Sequence, residues 1–294
     1  MKILITGGLG KIGSHLCENL YLKHDIIVLD NYSNISKFVH SADIITGDIR
    51  DKNIVEKLIN KVDVVIHTAA QISVDKSIEN PLNDADNNVN GTLNLLEASR
   101  KSNIKRFVYI SSAAVYGKPV YLPVDESHPT NPMSPYGLSK FTGERYSMLY
   151  HELYNLPVTS LRLFNVFGFQ NAEDSYSGVI TKFIDRVKNN KNPIIFGDGN
   201  QTRDFVYIDD VINAISKTIE NDKTIGEVIN IGTGKPTRIL DLCEAIIKIF
   251  DKKLIPEFVS PKTGDIRDSY ADITKMKNIM KYEPNYSLEQ GLIH

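Results

Sequence analysis

Tyr136 and Lys140 stand four residues apart in the stretch SPYGLSK. Residues at this spacing share one face of a helix, so the phenol and the ammonium would point the same way. Such a pair can transfer protons if the pKa of the phenol, ordinarily near 10, moves by ~3 units towards neutral pH, which corresponds to ~4 kcal/mol. The chain has 14 tyrosines, so one Tyr-x-x-x-Lys match is about what chance supplies. The pair therefore needs independent support.

A serine supplies part of that support. The segment ISSAAVYG places Ser111 and Ser112 at the carboxyl end of a predicted strand, where ligands bind in doubly wound sheets. Ser112 precedes Tyr136 by 24 residues, which leaves room for a surface loop before the helix that carries Tyr136. We expect Ser112 to hydrogen-bond the hydroxyl that loses its proton.

A glycine-rich turn follows the first predicted strand and opens the first predicted helix. In TGGLGKIG the glycines are Gly7, Gly10 and Gly13. The first permits the tight turn, the second lets the backbone approach a pyrophosphate, and the third brings helix and sheet together. The helix N-terminus then offers N–H groups to the phosphates. This context predicts a dinucleotide site.

Acidic residues after the next strands indicate which dinucleotide is bound. Asp30 ends the second predicted strand, 17 residues after Gly13. A carboxylate there accepts hydrogen bonds from the adenosine ribose and repels a 2′-phosphate. The next residue is Asn31 rather than arginine, so we expect NAD rather than NADP. Asp48, after the third predicted strand, is expected to reach the adenine edge.

The elements that position these residues alternate short Val/Ile/Leu-rich runs with longer helical patterns. Such runs are typical of strands buried on both faces of a parallel sheet. The alternation predicts right-handed crossovers and an α/β fold with a Rossmann-type doubly wound parallel sheet. The predicted strands are 2–6, 26–29, 43–46, 62–67, 106–111 and 158–164, and the predicted helices are about 12–23, 51–60, 84–103 and 136–154.

The second half of the chain is less regular. We expect a dinucleotide-binding domain at 1–165, with later returning segments near 205–234, and a smaller α/β substrate-binding domain formed mainly by 166–294. The predicted elements here are a helix around 177–190, short strands flanking a turn at Asp198-Gly199, a helix from Asp209, a strand at 227–232 and a helix from about 239 to 250.

Composition narrows the functional classes. Hydrophobic content is 41%, charged content 24% and formal net charge −2, which argues against nucleic-acid partners. No apolar run approaches the ~18 residues of a membrane span, and the N-terminus does not resemble a signal peptide. Cys17 and Cys243 lie in apolar helical patterns and are expected to be buried thiols. We expect a cytoplasmic protein without a metal site or membrane contact.

Nine motifs, in this order, carry a resemblance that covers nearly the whole chain: TGGLGKIGSH, VLDNYS, GDIRD, DNNVNGTLNLLEA, SSAAVYG, SPYGLSK, LRLFNVFG, TRDFVYIDDV and NIGTG. Together they resemble the extended short-chain dehydrogenases/reductases, and among them the NAD-dependent nucleotide-sugar epimerases, most closely the UDP-glucose 4-epimerases. The resemblance implies an isomerase of galactose metabolism that inverts C4 of a UDP-hexose through a transient 4-keto sugar. NAD accepts and returns the hydride in each cycle.

The resemblance also implies roles for individual residues. Tyr136 would be the acid/base, Ser112 would assist it, and Lys140 would bind the nicotinamide ribose and lower the tyrosine pKa. The residues implied to contact NAD are Gly7, Gly10, Lys11, Ile12, Gly13, Asp30, Asn31, Asp48, Ile49, Ala69, Ala70, Asn87, Tyr136 and Lys140. Those implied to contact the UDP-sugar are Ser112, Tyr136, Asn165, Phe196, Arg203, Lys262, Asp265 and Ser269.

Three departures from the family pattern bear on the substrate. Related dehydratases carry an acid in the segment matching SAAVYG, and Ala113 and Ala114 cannot replace it. Ala114 also stands where many bacterial epimerases have threonine. Lys262 stands where a phosphate-binding arginine is common, and it lacks the bidentate fork.

Ser269 matches a position that shapes the sugar pocket, and its small size suggests room for an N-acetyl group.

The resemblance further implies a homodimer formed through helices near 84–103 and 136–154. Leu93, Leu96, Leu149 and Leu153 would supply apolar faces, although packing within one subunit explains them equally well. Alternative functions are another nucleotide-sugar epimerase such as a UDP-glucuronate 4-epimerase, a 4-keto sugar reductase, or a non-catalytic NAD-binding regulator. A reductase would consume external NADH or NADPH, and such regulators tend to lose the tyrosine or the lysine.

Overall fold

The computed structural model describes residues 1–37, 39–168, 178–262 and 264–293. Its strands are β1 Lys2–Thr6, β2 Asp25–Asp30, β3 Asp43–Thr46, β4 Val64–His67, β5 Arg106–Ser112, β6 Val158–Leu163, β7 Asn165–Phe167, β8 Ile194–Phe196, β9 Thr202–Arg203, β10 Phe205–Tyr207, β11 Glu227–Ile231, β12 Thr237–Arg238, β13 Glu257–Val259 and β14 Asp268–Ser269. Its α-helices are α1 Lys11–Leu20, α2 Lys52–Ile59, α3 Val74–Glu79, α4 Pro81–Ala85, α5 Gly91–Arg100, α6 Pro135–Tyr154, α7 Val179–Lys188, α8 Ile208–Glu220, α9 Ile239–Ile249 and α10 Leu288–Ile293.

Seven strands form one parallel sheet in the order β3-β2-β1-β4-β5-β6-β11. The predicted α/β fold with a Rossmann-type doubly wound sheet is confirmed. The chain builds outward from β1 in one direction and then returns to add β4 on the other side. At such a reversal the loops on either side diverge, which leaves a crevice at the carboxyl edge.

The core lies on both faces of this sheet because successive strand residues point to opposite sides. In β1, Ile3 and Ile5 pack with the layer that contains α1 and α8. Leu4 points the other way, towards α2, α5 and α6. All three side chains are fully buried, as the continuous apolar run predicts.

The helical run predicted at 84–103 differs from the observed one. It begins at Pro81, where the Asn80 side chain accepts a hydrogen bond from the Asn83 N–H, and α3 precedes it. Between α4 and α5 the run widens into a π-helical turn at Asp86–Asn90. Asn88, in this turn, is buried. Helical periodicity does not reveal a π-turn, so the sequence pattern gave a single helix.

The second half forms small sheets around the crevice. The predicted turn at Asp198-Gly199 is present, but the strands that flank it do not pair with each other. β8 pairs with β13, whereas β9 lies between β12 and β14. The helix predicted around 177–190 is confirmed as α7, Val179–Lys188; residue 177 lies outside the described residues.

The returning segment belongs physically to the large sheet. Strand β11 forms the edge beside β6, and α8 packs on α1. The Asp210 carboxylate of α8 then accepts hydrogen bonds from the Tyr282 hydroxyl and from the backbone N–H groups of Asn285 and Tyr286, at 2.7 to 3.1 Å. This fixes the C-terminal segment. The division into two domains at residue 165 stays a prediction.

Two expectations from composition can be compared with the coordinates. Cys17 and Cys243 are both buried and free. Burial raises the pKa of each thiol to about 12, so both remain protonated at neutral pH. Within the four described ranges, none of the helices combines the length and apolar character needed to cross a bilayer.

Candidate active site

A cavity of about 1130 Å³ opens at the carboxyl edge of the sheet, where the chain order reverses. The glycine turn and the end of β2 form one end of its wall. The ends of β4, β5 and β6 and the first turn of α6 continue it, and α7 closes the far side. The catalytic residues predicted from sequence and most of the predicted cofactor contacts lie on this wall.

The glycine turn is shaped for close approach by a ligand. Gly7 has φ +69°, and a Cβ there would lie 2.7 Å from the Ala69 Cα. A Cβ on Gly13 would collide with the Gly7 carbonyl oxygen. Gly10 precedes α1 without a side-chain cap, and no acidic residue occupies the first turn. The first N–H groups of α1 are therefore available to a pyrophosphate, whose charge the helix N-terminus stabilises.

Asp30 is held with its carboxylate against the turn. Its Oδ2 accepts a hydrogen bond from the Leu9 N–H at 3.0 Å, and its Oδ1 accepts one from the Tyr32 N–H at 2.8 Å. Each carboxylate oxygen has a further lone pair, and Asp30 lines the cavity. This geometry fits two ribose hydroxyl donors.

Asp48 is engaged by protein groups instead of lining the cavity. Its oxygens accept hydrogen bonds from the Arg50 guanidinium at 2.8 and 2.9 Å and from the Asn31 amide at 2.9 Å. The hydrogen bonds from Arg50 hold the pKa of the Asp48 carboxyl well below its usual range. Asn31 and Arg50 line the cavity, whereas Asp48 is not part of its lining. A direct contact between Asp48 and adenine stays a prediction.

The remaining predicted NAD contacts lie on the same wall: Lys11, Ile12, Ile49, Ala69, Ala70 and Asn87. The Asn87 side-chain amide donates hydrogen bonds to the backbone and side-chain oxygens of Asn83, which also lines the cavity. Glycine cradle, uncapped helix and ribose carboxylate together fit a dinucleotide such as NAD.

Tyr136 stands at the start of α6 and points into the cavity. Ser134 caps this helix by accepting a hydrogen bond from the Gly137 N–H, and Pro135 occupies the first turn, where its missing N–H costs nothing. Burial raises the pKa of Tyr136, and a hydrogen bond with Ser112 partly offsets this rise. Ser112 and Tyr136 thus line the same cavity, and the expected hydrogen bond from Ser112 to the hydroxyl that loses its proton stays a prediction. Without ligand the phenol stays protonated at neutral pH.

Lys140 lies one turn further along α6 and also lines the cavity. It is 5% exposed, and its Nζ lies 4.5 Å from the centre of the Tyr109 ring. Burial lowers the pKa of Lys140 to about 8, against the opposing effect of the Asp84 and Glu144 carboxylates. Lowering of the tyrosine pKa by Lys140 stays a prediction for the cofactor-bound protein.

A polar network under the catalytic pair was missed by sequence reasoning. Gln71 lines the cavity and donates a hydrogen bond from Nε2 to Asp84 at 2.8 Å. Asn88 donates one to Ser139 Oγ at 3.0 Å, and Ser139 in turn donates to the Tyr136 carbonyl. Asn88 belongs to the DNNVNGT motif, which the sequence shows, but the inward direction of its side chain depends on the π-turn.

Five of the predicted substrate residues are not part of the cavity lining and form a second group outside it: Phe196, Arg203, Lys262, Asp265 and Ser269. Arg203 Nη2 lies 2.6 Å from Asp265 Oδ1, and β14 places Ser269 opposite Arg203. The Lys262 ammonium lies 4.6 Å from the centre of the Phe196 ring. These five residues come from distant parts of the chain, and the small sheets bring them together.

Asn165 connects the two groups. It lines the cavity, and it pairs with Phe205 across β7 and β10, two residues beyond Arg203. Burial lowers the pKa of Arg203, and the charge of Asp265 opposes this shift. The guanidinium remains charged, because the ordinary pKa of arginine is above 12.

Two further features were not predicted. The Asp204 carboxylate, fully buried, accepts hydrogen bonds from the N–H groups of Thr233, Gly234 and Ala271 and from the Thr233 hydroxyl, at 2.6 to 3.1 Å. It thereby ties the NIGTG loop and Ala271, two residues beyond β14, to the link between β9 and β10. The motif TRDFVYI contains this residue, but its partners are distant in sequence.

The second feature is the N-terminus of α7, which faces the cavity. Gly178 precedes this helix without a side-chain cap, and Val179, Ile180 and Thr181 line the cavity wall. The first N–H groups of α7 are thus a second place where an anionic group would be stabilised. In the sequence, a glycine directly before a strongly amphipathic segment could have indicated this uncapped helix N-terminus.

Within the described ranges, His, Cys, Asp and Glu side chains form no group of three or more that could hold a metal ion. His67, at the end of β4, hydrogen-bonds the hydroxyls of Thr6 and Thr92 at 2.8 and 2.9 Å. Burial lowers the pKa of His67 to about 3, so its imidazole is neutral and joins β1, β4 and α5.

Comparisons with known proteins agree with this geometry. The model of the NAD dependent epimerase/dehydratase family matches residues 3–232. A protein of Methanocaldococcus jannaschii, provisionally named a UDP-glucose 4-epimerase, is 46% identical over 295 residues, covering 99% of this chain and 95% of the relative.

Two solved structures are similar over nearly their whole length. A UDP-glucose 4-epimerase of Thermotoga maritima, solved with UDP-glucose, is 36% identical with a TM-score of 0.95, covering 100% of this chain and 96% of the other. A UDP-N-acetylglucosamine 4-epimerase of Methanobrevibacter ruminantium, in complex with UDP-N-acetylmuramic acid, is 35% identical with a TM-score of 0.94, covering 99% and 96%. The chain therefore belongs to the NAD-dependent epimerase/dehydratase family, whose cofactor is NAD, and its relatives act on UDP-sugars.

Proposed function

We propose that this protein is a UDP-hexose 4-epimerase that inverts C4 through a transient 4-keto sugar. The observation that carries the proposal is that Tyr136, Ser112 and Lys140 line the same cavity as the dinucleotide cradle. This cavity places a base, a site for a cofactor that takes hydride and room for a substrate hydroxyl side by side. Tyr136, Ser112 and Lys140 are the catalytic residues in this account.

Bound NAD supplies reversible hydride transfer at the sugar carbon. Tyr136 takes the proton of the 4-hydroxyl as C4 is oxidised, and Ser112 hydrogen-bonds the same oxygen. Burial raises the pKa of Tyr136, so the phenolate forms only when positive charge enters the site. That charge would come from oxidised NAD when it is bound, in addition to the charge that Lys140 already carries in the site. After the 4-keto sugar turns, the hydride would return to the opposite face of C4 and Tyr136 returns the proton to the oxygen, which gives the inverted configuration.

The residues beside the cavity suit the UDP part of the substrate. An aromatic ring such as Phe196 can stack on uracil. Arg203 can form bidentate hydrogen bonds to a phosphate, and the Asp265 carboxylate can accept a hydrogen bond from a ribose hydroxyl. The uncapped N-terminus of α7 adds a site for diphosphate charge. Lys262 contributes charge without a fork, and Asn165 lies between the two groups, within reach of the sugar.

A second candidate substrate pair is UDP-N-acetylglucosamine and UDP-N-acetylgalactosamine. Ser269 lies opposite Arg203 in β14, and its short side chain leaves space for an N-acetyl group. The similar enzyme of M. ruminantium bears the name of this activity. Dehydration is disfavoured because Ala113 and Ala114 offer no acid beside Tyr136.

A homodimer is part of the proposal. Helix α6 exposes a row of leucines, Leu138, Leu149 and Leu153, of which Leu153 is 61% exposed. The leucines predicted to join the interface from α5 are less exposed: Leu96 is fully buried in the subunit and Leu93 is half-buried. The interface would therefore depend mainly on α6.

The deciding experiment offers UDP-glucose, UDP-N-acetylglucosamine and UDP-glucuronate separately to the purified protein without added cofactor. The C4-inverted product of the first, the second or both is the expected result. Inversion of UDP-glucuronate alone would contradict the hexose assignment. Turnover that requires added NADH or NADPH and stops when it is consumed would indicate a reductase instead. NAD bound without any turnover would indicate a regulator.

A further inference from the structure

A carboxylate that the proposed mechanism does not use lies beneath the catalytic pair. Asp84, on α4, is 1% exposed. Its Oδ1 accepts hydrogen bonds from Gln71 Nε2 at 2.8 Å and from Asn88 Nδ2 at 3.2 Å. Its Oδ2 is buried without a hydrogen-bond partner among the described residues. A buried carboxylate with an unused oxygen is costly unless positive charge lies nearby.

Lys140, buried on the neighbouring helix α6, is the cation whose charged form the Asp84 carboxylate favours. Helix α4, which carries Asp84, packs against α6. Two carboxylates raise the pKa of Lys140 and so favour its charged form, and Asp84 has the larger effect. The other is Glu144, one turn further along α6. Glu144 is already bound by the Arg162 guanidinium at 2.6 and 3.0 Å, so its charge is largely neutralised.

The other groups around Lys140 carry no charge that could replace Asp84. His67, from β4, is neutral because burial lowers its pKa to about 3. Tyr109, from β5, presents its ring face, and burial raises its pKa well above the ordinary value. Tyr136, on α6 itself, also has a raised pKa. Among the described groups around Lys140, Asp84 is thus the acidic one that no cation neutralises already.

Asp84 is also connected mechanically to the catalytic turn. Asn88, which donates a hydrogen bond to Asp84, donates another to Ser139 Oγ at 3.0 Å. The Ser139 hydroxyl then donates to the Tyr136 carbonyl at 3.0 Å. The Nδ2 group of Asn88 therefore donates both to Asp84 and to Ser139, and so links the Asp84 carboxylate to the first turn of α6.

We propose that Asp84 is a positioning residue for the reaction: its buried carboxylate keeps Lys140 protonated and, through Asn88 and Ser139, holds the turn that carries Tyr136. This assignment rests on the function proposed above. It assigns Asp84 no contact with substrate or cofactor. It also explains why a carboxylate with a free oxygen is retained in the interior.

The first test needs neither substrate nor cofactor. The free energy of unfolding is measured against pH for the wild type and for Asp84→Asn, which keeps the size and the Oδ1 acceptor. Because the folded-state pKa of Lys140, about 8, is below its ordinary value of 10.5, the folded chain binds fewer protons between these values, and stability rises with pH there. Asp84→Asn should extend that rise to lower pH by about one unit or more.

Two comparisons make the result specific. In a Lys140→Met background, Asp84→Asn should leave the pH dependence unchanged, because the titrating partner is gone. Glu79→Gln, which removes an exposed carboxylate five residues earlier, should not move the rise in either background. If Asp84→Asn lowers stability equally at every pH and equally in both backgrounds, Asp84 is merely structural and the proposal is overturned. Should Asp84→Asn fail to fold, Asp84→Ser undergoes the same comparison.

The second test is the pH profile of kcat/KM for sugar inversion. Loss of the Lys140 proton should end activity at alkaline pH, and Asp84→Asn should move this limb to lower pH by about one unit or more, with Glu79→Gln unchanged. A limb that does not move contradicts the role of Asp84 even if the wild type is an active epimerase. A wild type with normal Asp84–Lys140 coupling but no inversion contradicts the proposed function instead.

Discussion

Replacing Asp204 by alanine should weaken both the fold and the substrate site. The carboxylate accepts four hydrogen bonds, three of them from backbone N–H groups that the sheet does not use. The Ala271 N–H is buried and would lose its partner outright, at about 1.5–3 kcal/mol. The donors of Thr233 and Gly234 are part-buried and can be reached by water, so each should cost about 0.5–1 kcal/mol. The expected loss is therefore about 3–6 kcal/mol.

Denaturant unfolding monitored by circular dichroism measures this loss directly. Asp272→Ala is the matched control, because Asp272 lies beside Ala271 but accepts one hydrogen bond, from the Thr274 N–H at 2.7 Å. Its loss should not exceed about 1.5 kcal/mol. If Asp204→Ala destabilises the protein by no more than Asp272→Ala, the hydrogen bonds that Asp204 accepts do not support the fold. Where Asp204→Ala remains folded, KM for the UDP-sugar should rise more than kcat falls, because Arg203, which is expected to bind the substrate, directly precedes Asp204.

Three further predictions concern the cofactor, the sugar and the assembly. Gly13→Ala places a methyl group against the Gly7 carbonyl oxygen, so the purified variant should contain little or no NAD by mass spectrometry; full NAD content would contradict the cradle. Ser269→Tyr should lower kcat/KM for UDP-N-acetylglucosamine by about 10- to 100-fold while UDP-glucose is inverted nearly as before, and unchanged kinetics with both sugars would refute the pocket assignment. Leu153→Lys should convert a dimer into monomers by sedimentation velocity, with the exposed Leu22→Lys as control; equal dimer content in the two variants would exclude the α6 surface.

The parts of the fold that could be predicted are those written in local patterns. Continuous apolar runs predicted five of the six strands of the first half, because a strand buried on both faces needs apolar residues at nearly every position. The sixth, β3, was predicted as well, but it lies at the edge of the sheet and is only partly buried. The glycine turn and Asp30 could be placed because a βαβ unit fixes their distance along the chain. The spacing of Tyr136 and Lys140 needed only the pitch of a helix.

The parts that could not be predicted depend on contacts between distant segments. Nothing near Arg203 shows that β9 lies between β12 and β14, since two-residue strands have no pattern of their own. Asp84 was passed over because its burial follows from packing between α4 and α6, and the π-turn that directs Asn88 inward has no periodic signature. Asp48 illustrates the opposite limit: its position was predicted, but its partner Arg50 decides what its oxygens contact.

The most direct measurement replaces the Tyr136 hydroxyl by hydrogen. Tyr136→Phe should retain NAD and bind UDP-sugar, while kcat for C4 inversion falls by about 10²- to 10⁴-fold, the usual contribution of a positioned acid/base. Tyr146→Phe, on the same helix but outside the cavity wall, should invert sugar at the wild-type rate. Inversion by Tyr136→Phe at the rate of Tyr146→Phe would contradict the account.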